Sequence, residues 1–274
     1  MVSVIIPVYN EEDSILDCLS SLSLQSHRQF EIIVVDDGST DQSVSKIKDK
    51  KIILLKQSHL GPGPAKNLGV KHAKGNIMVF VDADMTFEKN FIKNLTSPII
   101  QKKTIGTFTK DEFVSNWNNI WARCWNWNQG LEDNHRIPND YPDTSPVFRA
   151  ILKSEFDKVK GFDNTGFTDD WSLSKKLGFK ATLAVNAVCF HRNPETLGEV
   201  YNQARWIGKN EFIAGNLIRR LFSIARFNPI TQLLRSIYIC LKFKQLSYLT
   251  FSLIYYSGIT ASVFLSFFGE EKSK

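Results

Sequence analysis

Two carboxylates one residue apart, Asp82 and Asp84, close the apolar run Ile77-Met78-Val79-Phe80-Val81. Carboxylate oxygens suit hard cations such as Mg²⁺ and Mn²⁺, which bridge to diphosphate oxygens and neutralise charge on a departing phosphate group. Such triplets are common on protein surfaces, and the strand-like run in front of this one is what makes it specific. A second acid pair, Asp169-Asp170, stands between Thr168 and Trp171. Transfer to an alcohol requires a group that removes its proton, and a carboxylate beside the acceptor meets that need. Read as structure alone, the same pair is a helix N-terminus dressed with acids.

These acids need a scaffold that gathers strand ends. Val2 to Val8, Phe30 to Val35, Ile52 to Leu55 and Ile77 to Val81 are short apolar runs of the kind that form strands buried on both faces. The run at Val2 has no basic segment before it and is read as a strand, not a signal peptide. Glu11 to Leu24 carries Ile15, Leu19 and Leu22 at helical spacing, Ser39-Thr40-Asp41 offers a cap, and Ala65 to Lys74 reads as a helix after the Gly61-Pro62-Gly63-Pro64 turn. This alternation predicts an α/β fold with a mostly parallel central sheet and flanking helices. Ligands of such open sheets bind at the carboxyl ends of the strands. Three polar clusters fall at such ends: Tyr9-Asn10-Glu11, Asp36-Asp37-Gly38 and Asp82-Ala83-Asp84. One acidic strand end is an ordinary turn or cap; three together predict a site.

With 274 residues, 43% of them hydrophobic and 23% charged, the chain is globular and holds one substantial domain plus an appendage. Cys18, Cys124, Cys189 and Cys240 are scattered, which argues against a zinc site or a disulfide framework and fits a reducing compartment. The net charge of +6 is uneven: between Arg205 and Lys244, eight basic residues face Glu211 alone. A basic stretch serves nucleic acid or an anionic lipid surface. This one leads into Leu246 to Phe268, which has no charged residue, so a membrane surface and not nucleic acid is the expected partner. That run is long enough to cross a bilayer, though its Ser, Thr and Tyr content makes it a mediocre span. Pro229 to Leu241 is shorter, carries Arg235 and suits the interface plane. Amphipathic helices on the cytoplasmic leaflet are the favoured reading, a single span the second, and burial in a homo-oligomer interface the third.

The segments Val4-Ile5-Ile6-Pro7-Val8-Tyr9-Asn10-Glu11, Glu31 to Asp41 and Val79-Phe80-Val81-Asp82-Ala83-Asp84, followed by Phe148-Arg149-Ala150 and Gly161-Phe162-Asp163, resemble family 2 glycosyltransferases of the GT-A fold. The resemblance runs from Val2 to about Lys209. It implies an inverting enzyme that takes a nucleotide-sugar donor, UDP-sugar by default, and Mg²⁺ or Mn²⁺. It places Pro7 and Tyr9 beside the nucleotide base, Asp37 as the acid bonded to that base, and Glu11, Asp82 and Ala83 in the donor cleft. Asp84 matches the metal ligand, and His191, which follows the strand-like run Ala181 to Phe190, resembles the histidine that completes metal coordination or contacts the diphosphate in related enzymes. Lys66-Asn67 replaces a frequent Arg-Asn pair, so Lys66 is a candidate donor contact, with a solvated helix residue as the alternative. Asp170 matches the general base, with Asp169 where the family usually has Glu and Ser172 where many members have another Asp. Asp169 and Trp171 are expected on the acceptor side.

Asn202-Gln203-Ala204-Arg205-Trp206 partly resembles the Q-x-x-R-W signature of processive synthases, with Asn202 in the leading position. Arg205 suits a diphosphate contact and Trp206 stacking on an acceptor sugar, and both are acceptor-side candidates, although processive synthesis is not predicted. Phe113, Trp117, Trp121 and Trp125 recur every four residues, with Trp127 nearby, and predict one aromatic helix stripe. Core packing is the simpler role for that stripe, and an acceptor wall or membrane anchor the sharper one. The expected domains are 1–210 for catalysis, divided into a donor half (about 1–100) and an acceptor half (about 101–210), and 211–274 for membrane association. The expected reaction is transfer to a hydroxyl of a lipid-linked or cell-surface glycan precursor. A polyprenyl-phosphate sugar synthase is the nearest rival; its ionised acceptor needs no base, so Asp170 weighs against it. A nucleotidyltransferase would carry a Gly-rich basic loop where Val8-Tyr9-Asn10-Glu11 stands.

Overall fold

The computed structural model describes residues 1–48, 51–165, 168–209 and 217–268. In chain order the elements are β1 (Val2–Val8), α1 (Ile15–Ser23), β2 (Phe30–Asp36), α2 (Ser43–Ile47), β3 (Ile53–Lys56), α3 (Pro62–His72), β4 (Ile77–Phe80), β5 (Met85–Phe87), α4 (Phe91–Ile100), β6 (Gly106–Phe108) and β7 (Glu112–Val114). They continue with α5 (Ile120–Asn128), β8 (Thr144–Ser145), β9 (Ala150–Leu152), α6 (Lys153–Lys158), α7 (Asp169–Leu177), β10 (Ala181–Leu183), β11 (Cys189–His191), α8 (Leu197–Ile207), α9 (Leu217–Phe227), α10 (Leu233–Phe243) and α11 (Ser247–Leu265). The chain divides into two compact units: Met1–Phe113 with Ile137–His191, and Val114–Arg136 with Arg192–Lys274. The expected domain boundary at 210/211, and Glu211 with it, lie outside the described residues.

The first unit is built on a sheet of order β3-β2-β1-β4-β9-β6-β10-β8 and a small sheet of order β5-β11-β7. β3, β2, β1 and β4 run parallel, and β9 joins them antiparallel. Their apolar runs leave no polar face because helices cover both sides, and Val4, Ile5, Ile6, Ile33, Val34 and Val79 are fully buried. In register, Val8 lies opposite Asp36 and Ile5 opposite Phe80. The chain therefore leaves β1, β2 and β4 on the same edge of the sheet, and the three polar clusters share that edge.

Several boundaries differ from the sequence reading. α1 starts at Ile15 because Glu11 to Ser14 forms a turn, with Ile15 N donating to Glu11 O at 3.0 Å. α3 starts at Pro62, inside the segment read as a turn. Gly61 caps it at φ 99°, and a proline in the first turn forgoes no helical hydrogen bond. A Cβ on Gly63 would stand 2.9 Å from Asp163 O and 3.0 Å from Asp169 Oδ2, so glycine lets α3 meet the start of α7. The run Ala181 to Phe190, read as one strand, is broken by a turn at Asn186 (φ 59°) into β10 and β11, which belong to different sheets. Asn tolerates that left-handed conformation better than most residues.

The second unit is helical. α11 packs on α8, α9, α10 and α5, and a Cβ on Gly258 would stand 2.8 Å from Tyr201 O, so α11 approaches α8 backbone to backbone. Trp125 sets its ring edge-on against Phe251 and Tyr255, and Trp127 stacks on Phe243 at 4.3 Å. The predicted aromatic stripe does not form one helix face. Phe113 is on β7 and Trp117 in a turn, so of the four residues at that spacing Trp121 and Trp125 share α5, together with Trp127. A period of four marks a helix face only where the chain is helical throughout. α11, with its terminal turn to Phe268, is long and apolar enough to cross a membrane, yet 44% of its apolar window is buried inside the protein.

Candidate active site

β4 ends by delivering Asp82, Ala83 and Asp84 to the shared sheet edge. Asp82 Oδ2 accepts from Arg149 Nη1 at 3.1 Å, and Arg149 Nη2 donates to Glu112 Oε2, also at 3.1 Å. Glu112 Oε1 lies 2.9 Å from His191 Nδ1, and His191 Nε2 lies 3.1 Å from Asp84 Oδ1. The two acids of the triplet are thus joined through Arg149, Glu112 and His191. Burial alone would raise the Asp82 carboxyl, but Arg149, Lys66 and His191 outweigh it and hold the group down at about 2. Burial likewise opposes the Arg149 charge, which Glu112 and Asp82 more than restore. Burial lifts Glu11 to about 7; Asp84 and Asp82 add to this, while the Ser14 hydrogen bond and His191 oppose it.

The donor chemistry fits a hard divalent cation. Among the described residues there is no group of three or more His, Cys, Asp or Glu arranged as a cage. Mg²⁺ in particular is held by one or two carboxylates plus substrate phosphates and water. Asp84 and His191 would supply such a partial set. A proton on Nδ1 facing Glu112 would leave Nε2 able to ligate, the arrangement that orients metal-binding histidines.

The acid pair opens α7, and its partner is Lys66 on α3. Lys66 Nζ donates to Asp170 Oδ1 at 2.5 Å and lies 3.7 Å from Asp169 Oδ2. It also sits 5.1 Å from the centroid of the Phe162 ring. Burial penalises the ammonium, but Asp170, Asp169 and Asp82 together raise it above the ordinary lysine value. Lys66 is buried, which excludes the solvated-helix reading. Burial raises Asp169 to about 7, Lys66 opposing and Asp170 reinforcing the rise. Trp171 is exposed beside the pair.

This Asp169 value sets a pH dependence. An Asp carboxyl is near 4 in the unfolded chain, so between about pH 4 and 7 the folded state binds the extra proton. The stability it contributes is complete below pH 4 and lost as pH rises through 7. The urea midpoint should therefore fall between pH 5.5 and 8.5, and Asp169→Asn should reduce that fall; an unchanged slope would count against the assignment.

Asp37 is engaged by its own chain. Its Oδ1 accepts from Gln57 Nε2 at 2.6 Å and Leu60 N at 2.8 Å, and its Oδ2 from Gly61 N at 2.9 Å. His59 Nδ1 is 2.9 Å from Oδ2, and the His59 ring stacks on Tyr9 at 3.9 Å. Asp37 therefore anchors the loop from β3 to α3, and Tyr9 already presents a stacked face. Pro7 sits in β1 opposite Val35.

The first unit thus gathers Pro7, Tyr9, Glu11, Asp37, Lys66, Asp82, Ala83, Asp84, Asp169, Asp170, Trp171 and His191, whereas Arg205 and Trp206 belong to α8 of the second unit. Sequence reasoning missed the roles of Arg149 and Glu112. Arg149 carried a signal, since Phe148-Arg149-Ala150 is one of the segments that resemble the family. Glu112, in Asp111-Glu112-Phe113, carried none.

The model of the family described as "Glycosyl transferase family 2" matches residues 3–160. A Rickettsia felis protein named as an uncharacterized glycosyltransferase is 43% identical over 97 residues, which are 34% of this chain and 16% of that protein. The match thus spans about a sixth of that relative's length. Among solved structures, TarS 1-349 of S. aureus in complex with UDP-GlcNAc aligns with a TM-score of 0.56 at 17% identity, covering 100% of this chain and 93% of that one. The mannosyltransferase PcManGT from Pyrobaculum calidifontis, in complex with GDP-Man and Mn²⁺, aligns with a TM-score of 0.59 at 18% identity, covering 98% and 88%. At these identities the likeness establishes the GT-A fold.

Proposed function

This chain belongs to glycosyl transferase family 2, and we propose that it moves a sugar, with inversion, from a nucleoside-diphosphate donor to a hydroxyl of a lipid-linked or cell-surface glycan precursor. The observation that carries the reading is the joining of both acids of the Asp82-Ala83-Asp84 triplet in one network, in the same unit as an acid pair held by the buried Lys66.

In this reading Asp170 takes the acceptor hydroxyl proton as the oxygen attacks the anomeric carbon. The bond from that carbon to the diphosphate oxygen breaks on the opposite face, and the nucleoside diphosphate leaves with the electron pair. Tyr9, Pro7 and Asp37 bind the base end of the donor, while Glu11, Lys66, Asp82 and Ala83 line its sugar and phosphate end. Asp169, Trp171, Arg205 and Trp206 are assigned to the acceptor. Asp84 and His191 would hold Mg²⁺ or Mn²⁺, which when bound neutralises charge on the diphosphate. Residues about 1–100 form the donor half, about 101–210 the acceptor half, and 211–274 the membrane-associated region, placed at the cytoplasmic face where a lipid-linked acceptor is met.

UDP-sugars are the favoured donors, in keeping with the UDP-GlcNAc complex of TarS, and the GDP-Man complex of PcManGT makes GDP-sugars the comparison. Calorimetric titration with a panel of UDP-, GDP- and dTDP-sugars tests the proposal. One class should bind only with Mg²⁺ or Mn²⁺ present; failure of every donor to bind would overturn it.

A further inference from the structure

Helices on the surface of a soluble protein bury their apolar stripe and turn polar residues outward. α9 does the reverse. Ser223 is its buried residue, at 3% exposure, while Leu217, Ile218, Leu221 and Phe222 are each more than half exposed. These four lie at i, i+1, i+4 and i+5, on one face opposite Ser223. α10 also presents an apolar face outward, although it buries apolar residues as well. Ser236 is buried against Ser252, joined by Ile239 and Cys240, while Leu234, Tyr238 and Leu241 are each more than half exposed. Two consecutive helices of one unit thus leave their apolar faces uncovered, a larger exposure than scattered surface leucines require.

The charge around these faces identifies what covers them. From Leu217 to Phe268 the chain has six basic residues (Arg219, Arg220, Arg226, Arg235, Lys242 and Lys244) and no acidic one; two of them are engaged within the protein, Arg220 donating to Ser266 O and Arg235 to Tyr256 Oη and Asn128 O. Arg219 and Arg226 are exposed on α9, and Lys242 is exposed on α10, where it pairs with Glu132. Apolar faces rimmed by cations suit an anionic lipid surface, in which the side chains enter the acyl boundary and the cations meet headgroup phosphates. A second copy of the chain suits them less, because a two-fold interface would set like charges against each other. α11 has a different role: Tyr248, Phe251 and Tyr255 on it are buried, and it packs on α8, so it buttresses the two helices.

We infer that α9 and α10 form an in-plane docking surface for anionic lipid, with α11 as its internal support and not as a membrane span. This deepens the membrane part of the proposed function and does not depend on the transfer chemistry.

The test is co-sedimentation of the full chain with vesicles of phosphatidylcholine alone or mixed with phosphatidylglycerol. Binding should favour the anionic vesicles and be released by an alkaline wash. The double variant Leu221→Asp with Leu234→Asp, at exposed positions that tolerate polar groups in the folded protein, should bind on the order of 100-fold more weakly with an unchanged circular dichroism spectrum. Arg219→Gln should lower affinity for the anionic vesicles by about fivefold. Failure to bind anionic vesicles would overturn the inference. So would binding indifferent to the double variant, retention after the alkaline wash, or a dimer that the double variant dissociates. Nucleotide-sugar binding by the same preparations, measured without vesicles, separates failure of this inference from failure of the transferase reading.

Discussion

Asp170→Asn is expected to lower kcat by about 10²–10⁴-fold, the usual contribution of a positioned general base, with donor affinity changed only a few fold. The variant isolates basicity because the amide nearly matches the carboxylate in shape, and its oxygen can still accept from Lys66, now 2.5 Å from Asp170 Oδ1. The ammonium also keeps Asp169, 3.7 Å away, as a second partner. Stopped-time transfer assays combined with donor titration check the result. Unchanged kcat would remove Asp170 as the base. Loss of donor binding along with turnover would make the pair a structural support of the donor cleft. Asp169→Asn serves as the comparison: it leaves the base in place, so its effect on kcat should be much smaller.

Arg149→Met is expected to destabilise the protein by about 3–5 kcal/mol, the range for removing one partner of a buried ion pair. Arg149 bridges Asp82 and Glu112, with contacts of 3.1 Å to each. Glu112 is among the buried charged residues, so it bears most of the loss. Asp82 is more open to water and contributes less. Without the guanidinium the Asp82 carboxyl titrates at higher pH, so the deficit should narrow as pH falls from 7 to 5. Urea denaturation at both pH values measures it. Adding Glu112→Gln to Arg149→Met should recover part of the loss, because one buried carboxylate that the guanidinium had balanced is then gone. A single-variant loss within 1 kcal/mol would show that water already neutralises this network. Arg149→Lys should rescue incompletely, since an ammonium cannot reach two carboxylates with the planar fork of arginine.

The candidate site was largely legible because its acids follow strand signals. Tyr9 and Asp82 come directly after an apolar run and Asp37 one residue further on, and a parallel sheet forces the ends of such runs onto one edge. The pairing of these groups was not legible. Lys66 and Asp170 are 104 positions apart, and Arg149 and Glu112 are 37 apart; nothing local at either member names the other. Asp37 shows the same limit. The family resemblance implied a base contact for it, while its partners within the chain, Gln57, Leu60 and Gly61, depend on where the β3–α3 loop settles. Apolar content misled between Ala181 and Phe190, where a single Asn in a left-handed turn redirects the chain between two sheets. It misled again from Phe113 to Trp125, where regular spacing spans strand, turn and helix.

The sequence by itself determined the alternation of strands and helices, the acids at the sheet edge and the family, because short-range patterning and residue chemistry carry that information. It also determined that Asp82-Ala83-Asp84 and Asp169-Asp170 would lie at element ends. Only the tertiary structure decided that Arg149, Glu112 and His191 link the two acids of the first motif, and that Lys66 turns inward to the second. It alone decided that α9 and α10 bury serine and expose leucine. A hydrophobic pattern states which side of a helix is apolar; which side is covered depends on what the rest of the chain has left to pack against it.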